Sequence, residues 1–596
     1  MDPRISYKER LSSLQALEKK FKQKKSFFGM LRFGSIAAII AVFYFLWPLG
    51  LIYVFSAAAI LLAIFVRLVY KDLANRAAIK HIGHLISINQ DEWKALEGEY
   101  FHFADGNSFL PKVHEYAGDL DIFGHASLYQ FVNRTTSDMG AVSLASWLLE
   151  PAEPVNIMER QQAIKELKDK MHWRQDIQAF GRETNIRQST FDKLLQWVNE
   201  PALFLQFSHW KWLRILLPVI ILAVVIAAIA GWISMNSMYA MLLLYAVIAY
   251  QVNKAVAPMH DKLSKIVDEI DALSLSIAVI EKETFTAELN GRLKQRFFSN
   301  NEAASVKIRK LKKILDRLDI RYNIVISAPL NLLLLWNLQQ ALDLEKWKKE
   351  HTTDVKSWFD TLGDFEALNS LSVIHFNNPD WCFPVLHDTH FFIKAKELGH
   401  PLIPEIKRVN NYIDIENKGK IMLVTGSNMA GKSTYLRSIG VNTVLAMAGA
   451  PVCASSFTIS PVQLISSMRI ADNLEESTST FYAELKKLKA IIDKVNAGEK
   501  VFILLDEILR GTNSLDRHTG SEALIKQLIR HEAAAIIATH DLGLAEINKT
   551  YPDNILNYHF DVQVNYEELY FDYKLKPGVC TSLNASILMK KIGIEL

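Results

Sequence analysis

Three observations predict the fold class. Two long uncharged apolar runs interrupt the first half of the chain, a glycine-rich loop stands between a strand and a helix in the second, and helical periodicity gives way there to alternating strands and helices. Together they predict a multidomain protein with four transmembrane helices in two hairpins, an α-helical body, and a C-terminal α/β domain carrying a phosphate-binding loop. A chain of 596 residues has room for roughly three or four domains. A net charge of +3 neither demands nor excludes nucleic acid. The start, Met1 to Arg10, is too charged and too far from an apolar stretch to read as a cleaved secretion signal. Cys382, Cys453 and Cys580 lack metal-ligand spacing, which suggests a reducing compartment and no metal other than one brought by a nucleotide.

Residues 1–32 form a basic segment that reads as an amphipathic helix near the membrane. The first hairpin follows at 33–70. Its apolar run, Phe33–Val66, is far longer than the about 20 residues needed to cross a bilayer, and it breaks at Pro48-Leu49-Gly50. The second hairpin, 211–254, contains the run Ile215–Asn253 with a break at Met235-Asn236-Ser237. Lys19, Lys20, Lys22, Lys24 and Lys25 precede the first hairpin, and Arg67, Lys71 and Arg76 follow it; Lys211, Arg214 and Lys254 flank the second. Neither turn carries charge. The positive-inside rule then places both termini and the C-terminal domain in the cytoplasm, with the chain in the cytoplasmic (inner) membrane and the lipid bilayer as a partner. Ile324–Leu335 is also apolar but short and interrupted by Pro329 and Asn331, and it reads as a buried core segment.

Residues 71–210 are the first part of a helical body and 255–384 the second. Within the latter, His260–Glu283 and Ala303–Ile320 carry apolar residues every three or four positions. The run at 307–313 is strongly basic. Such a run is usually a solvated helix face and less often a phosphate contact, so Lys307, Arg309, Lys310, Lys312 and Lys313 are candidate contacts for DNA or anionic lipid.

Residues 385–596 alternate strand and helix, with apolar strands at Ile421–Val424, Val501–Leu505 and Ala534–Ala538. Directly after the first strand comes Thr425, then Gly426-Ser427-Asn428-Met429-Ala430-Gly431-Lys432-Ser433-Thr434, a complete G-x-x-x-x-G-K-S loop. Its backbone N–H groups suit the phosphates of ATP, Lys432 the outer phosphates, and the Ser433 hydroxyl Mg²⁺. The second strand ends in Asp506 and Glu507, the first suited to Mg²⁺ and the second to activating water. The third ends at Thr539-His540, placing a histidine where it can sense the γ-phosphate or hold the water.

At this point the wording resembles the ATPase domain of the MutS family. That family shows T-G-x-N-M-x-G-K-S-T, S-T-F-x-x-E (here Ser479 to Glu484), D-E-x-x-R-G-T (Asp506 to Thr512) and A-T-H (Ala538 to His540). Upstream, Leu128–Arg134 with Thr135, Trp147 to Pro151, and His400-Pro401-Leu402-Ile403 are similar to further family stretches, as is Pro577 to Ser582 at the end. The resemblance covers roughly 120–200 and 360–596. It implies an ATPase built as a homodimer, a MutS-like core and lever in the helical body, and composite sites in which Ser479 and Asp516 act in trans. It brings with it the family label of DNA binding and mismatch repair. No stretch here resembles the family's mismatch-reading or connector domain, and Arg517-His518-Thr519-Gly520 departs from the usual glycine after Asp516. Two other readings compete: an ATP-driven membrane transporter, and an ATP-regulated membrane scaffold with no DNA role. Against the first, no L-S-G-G-Q signature stands between Ser433 and Asp506, and the spans carry no charge to mark a substrate path. The presence of both Glu507 and His540 argues against the second.

Overall fold

The computed structural model describes residues 2–388, 391–427, 429–469, 480–565 and 568–580. The first half is helical and the C-terminal region is α/β. The opening helix, Pro3–Leu46, starts at Asp2, whose side chain accepts from the Arg4 N–H. It turns at Trp47–Leu49 and Gly50, where a φ of 115° favours glycine, and returns as Leu51–Leu96. The basic segment is therefore not a separate amphipathic element: it runs unbroken into the apolar arm. At 1.5 Å per residue each arm is about 65–70 Å long. The far half is apolar and exposed, including Ile40, Tyr44, Ile52 and Ile60. The near half docks on the body through Leu14, Ile82, Leu85 and Ile88 against Ala179, and the Tyr7 hydroxyl donates to Asn377 Oδ1 at 2.8 Å. Where the halves meet, buried Asp72 pairs with Arg32 at 3.2 Å and Arg76 at 2.9 Å.

A second apolar pair, His209–Ile229 and Met235–Leu263, turns at Gly231 and is capped by Ser234, which accepts from the Ser237 N–H. Among the described residues four helices are long and apolar enough to cross a membrane, two from each pair, the last running on to Lys282. The apolar stretch after residue 323 differs from expectation. It forms the helix Ile324–Leu334, none of whose residues is buried, with Ile324 and Val325 more than three-quarters exposed. Apolar sequence signalled low contact with water, but not which non-aqueous surroundings. This helix packs beside the second apolar pair and bends by 79° into Trp336–His351.

The body is organised on Asp354–Asn377, a helix buried on nearly every side. It approaches Asp138–Leu149 so closely that a Cβ on Gly363 would lie 2.9 Å from the Met139 carbonyl oxygen. Buried Glu366 accepts from the backbone N–H and hydroxyl groups of Thr136 and Ser137. Next to them Arg134 makes a buried ion pair with Glu92.

The strands are β1 Phe298–Ser299, β2 Glu302–Ala303, β3 Val385–Leu386, β4 Phe392–Leu398, β5 Asn411–Glu416, β6 Ile421–Thr425, β7 Ser456–Ile459, β8 Gln463–Ser467, β9 Val501–Asp506, β10 Ala534–Thr539, β11 Ile555–Asn565 and β12 Glu568–Pro577. The main sheet runs β12-β11-β6-β10-β9-β8, parallel except for edge strand β12. Strand alternation divides its two faces. Ile421, Leu423, Ile503 and Leu505 pack under the helices Thr480–Asn496 and Ser514–Arg530. Met422, Val424, Phe502 and Leu504 pack with the helix Lys432–Ala448 and join the core of the body. Burying both faces explains the unbroken apolar runs of the three central strands. A smaller sheet, β3-β7-β4-β5, lies beside it.

Candidate functional site

The parallel strands β6, β9 and β10 all end at one edge, and each delivers a polar group there. Strand β6 ends at Thr425, whose hydroxyl donates to the Tyr558 carbonyl. The chain then turns through Gly426, at a φ of 147°, and a Cβ at this position would lie 2.8 Å from the Phe560 carbonyl oxygen. Met429 and Gly431 also hold positive φ. Gly431 stands immediately before the helix Lys432–Ala448, so the unpaired N–H groups of the first turn face the loop. Ser433 and Thr434 are exposed, Ala430 and Lys432 buried. Asn428 lies outside the described residues.

Lys432 Nζ folds onto its own loop, donating to the Gly426 and Ser427 carbonyls at 2.9 and 3.0 Å. Burial pushes its pKa down, opposed by Glu507 and Asp506. Asp506, at the tip of β9, is 7% exposed, and its Oδ1 is buried without a partner. Glu507 follows at a φ of 54° with its N–H donating to the Ala538 carbonyl at 2.9 Å. Its carboxylate lies 2.6 Å from His540 Nε2 and 3.0 Å from Arg510 Nε. The hydrogen bond from His540, then the Arg510 charge, hold the carboxyl below its usual range. The short contact requires a hydrogen on His540 Nε2. Lys432, 3.4 Å from the same nitrogen, is therefore a neighbouring charge and not a donor to it.

The loop after Glu507 is braced from the helix Thr480–Asn496. Glu484 Oε1 accepts from the Leu509 N–H at 2.5 Å, and burial raises the Glu484 pKa. A Cβ on Gly511 would sit 2.7 Å from Phe481 Cβ, so the helix presses on this loop. Asn513 then caps Ser514–Arg530, accepting from the Asp516 N–H at 2.9 Å. Asp516 is exposed beside Leu515, which is 73% exposed. Ser479 and the hydroxyl-rich turn before it lie outside the described residues.

A cleft of about 380 Å³ opens from the glycine loop, bounded by Lys432, Ser433, Glu507, His400, Phe560 and Tyr573. Tyr573 lies against Gly431 from β12, a contact no motif announces. The pairing of Arg510 with Glu507 is also missed by motif reading, although the i,i+3 spacing hints at it.

The structure thus brings Lys432, Asp506, Glu507 and His540 together and leaves the basic run elsewhere. Lys307 is a correction: it is 2% exposed, donates to Ser299 and lies 3.4 Å from Asp354, so it cannot meet DNA or lipid. Helical periodicity turns it inward with Ile308 and Leu311. Lys312 pairs with Asp271 at 2.7 Å, while Arg309, Lys310 and Lys313 are exposed.

Residues 422–590 match the family model described as MutS domain V. Over 252 residues the chain is 33% identical to MutS protein homolog 4 of Homo sapiens, covering 40% of this chain and 25% of that protein. It is 33% identical over 221 residues to the DNA mismatch repair protein MutS of Aquifex pyrophilus, covering 36% of this chain and 25% of the relative. It is 30% identical over 253 residues to the DNA mismatch repair protein MSH3 of Candida glabrata, covering 41% and 24%. The chain spans about a quarter of the length of these curated relatives.

Proposed function

We infer that this chain, which belongs to the MutS family, is a membrane-anchored ATPase that works as a homodimer and couples ATP hydrolysis to movement of its helical levers. One observation carries the reading: Lys432, Asp506, Glu507 and His540 converge at the strand ends around a glycine loop that opens a helix. In this reading the loop amides from Gly426 to Thr434 and the helix N-terminus hold the phosphates of ATP. Lys432 exchanges its loop carbonyls for the outer phosphate oxygens. The buried, unpartnered Oδ1 of Asp506 and the exposed Ser433 hydroxyl suit Mg²⁺, which neutralises charge on those oxygens when bound. Glu507, ionised by its two neighbours, takes the proton of the attacking water, and His540 holds that carboxylate in place. Exposed Asp516, with Ser479, completes the site of a second subunit.

The four long apolar helices support anchoring in the cytoplasmic (inner) membrane, with termini and nucleotide site in the cytoplasm. DNA is the second ligand of this reading. Two relatives are named for DNA mismatch repair, and Arg309, Lys310 and Lys313 offer exposed charge on one helix. Mismatch recognition is not part of the proposal.

Two variants test the assignment. Lys432→Ala is expected to weaken ATP binding about 10- to 100-fold, the loss of a charge-assisted contact. Glu507→Gln is expected to keep binding, to slow hydrolysis about 100-fold or more, and to accumulate an ATP-bound dimer on size-exclusion chromatography in detergent. Equal loss of ATP affinity in both would contradict the assigned roles.

A further inference from the structure

At the foot of the second apolar pair a cleft of about 1310 Å³ opens between the start of His209–Ile229 and the helix Trp336–His351. Its lining combines two chemistries. Ile215, Pro218, Val219 and Leu334 form an apolar side continuous with the exposed surface of the spanning helices, Ile215 and Val219 being 63% and 58% exposed. The lining also holds two carboxylates and five cations, of which Lys211 and Arg214 stand one turn before Ile215 and Pro218 on the same helix.

The carboxylates are already used. Glu345 accepts the backbone N–H groups of Leu203, Phe204 and Leu205. Glu350 lies 3.9 Å from Lys346. Arg214 is paired with Asp343, which does not line the cleft, at 3.3 Å and with Gln339, which does, at 2.9 Å. Lys211, Lys348 and Lys349 are left with no ion pair among the described residues. Lys348 is only 8% exposed; its ammonium lies 5.6 Å from the centre of the Trp197 ring. Glu200 and Glu345 act on that ammonium only from beyond ion-pair distance, and an anion in the cleft would add a closer counter-charge.

We propose that this cleft binds an anionic phospholipid, its phosphate held by Lys211, Lys348 and Lys349 and an acyl chain lying along Ile215, Val219 and Leu334. The proposal rests on the membrane reading above. Depth supports it: from Lys211 to Val219 the helix rises about 12 Å, the step from headgroup level into the outer hydrocarbon layer. The exposed helix Ile324–Leu334, which delivers Leu334 to the cleft, supplies the neighbouring apolar surface. A soluble phosphate would use the lysines and leave the apolar wall wet. A zwitterionic lipid would leave their charge unbalanced.

The test is native mass spectrometry of the detergent-purified full chain titrated with phosphatidylglycerol, phosphatidylcholine or inorganic phosphate. The expected result is one retained phosphatidylglycerol per chain, at least about tenfold preferred over phosphatidylcholine, from favourable lysine–anionic lipid contacts. Inorganic phosphate should not be retained. Lys211→Gln with Lys349→Gln, both at exposed positions, should reduce lipid retention about tenfold while ATP hydrolysis and resistance to carbonate extraction stay unchanged. Equal retention of the two lipids, retention of phosphate alone, or no change in the double variant would overturn the proposal. Carbonate extraction of the unsubstituted chain from membranes would instead sink the membrane reading on which it rests.

Discussion

Glu507 sits at a φ of 54°, a left-handed value that costs a non-glycine residue about 1–2 kcal/mol. It is kept there by its N–H bond to Ala538 and by His540 and Arg510 on its carboxylate. That arrangement aims a low-pKa carboxylate into the cleft, which is why Gln at this position should remove water activation and little else. His400, on the cleft wall, gives a second prediction at this scale. Burial, then the Arg437 charge, push its pKa down to about 4, so it is neutral at pH 7. The folded state then binds fewer protons than the unfolded one, and stability falls as pH drops below about 6.5, levelling near 4. By pH 5 the loss from this one group should be about 2 kcal/mol. His400→Asn keeps an acceptor for the Leu402 N–H and should flatten the acid limb of a thermal-shift profile between pH 7 and 5; an unchanged limb would remove His400 from the account. Lys432, Asp506 and His540 were legible because their neighbours in sequence form a spaced pattern. Tyr573 was not, since only the pairing of β11 with β12 carries it to Gly431.

Among the elements, the helix Ala304–Leu318 shows where a charge run misleads. Composition treats its five cations alike, whereas 3.6-residue periodicity buries Lys307, ties Lys312 to Asp271, and leaves Arg309, Lys310 and Lys313 outside. The last three lie at i, i+1 and i+4, close enough for one duplex to meet all of them. If they face DNA, Lys310→Glu with Lys313→Glu should lower the slope of log affinity against log salt by about 0.9 per lost contact. Fluorescence anisotropy with duplex DNA across a salt series would read this, and an unchanged slope would leave the face merely solvated. The central strands were legible because both faces are buried, giving unbroken apolar runs. Ile324–Leu334 departs from the buried segment its sequence suggests for the same reason: an apolar run looks alike whatever covers it, and only the fold shows it uncovered.

Across the whole molecule, the first apolar pair is one long stalk. Its inner half is built into the body by Leu14, Leu85 and the Tyr7–Asn377 bond, and its outer half presents apolar side chains. The sheet's inner face shares a core with the body helices. Movement at the glycine loop therefore has a packed route to the helices that lead outward. The central claim, an ATPase fixed to a membrane it spans with its site on the cytoplasmic face, reduces to one measurement: ATP hydrolysis by sealed membrane vesicles of either orientation, prepared from cells making the full chain or its Glu507→Gln variant. The account predicts Glu507-dependent activity that stays with carbonate-washed membranes, is fully accessible in inside-out vesicles, and is latent in right-side-out vesicles until detergent is added. Activity that washes off the membrane, appears equally in both orientations, or survives Glu507→Gln would contradict it.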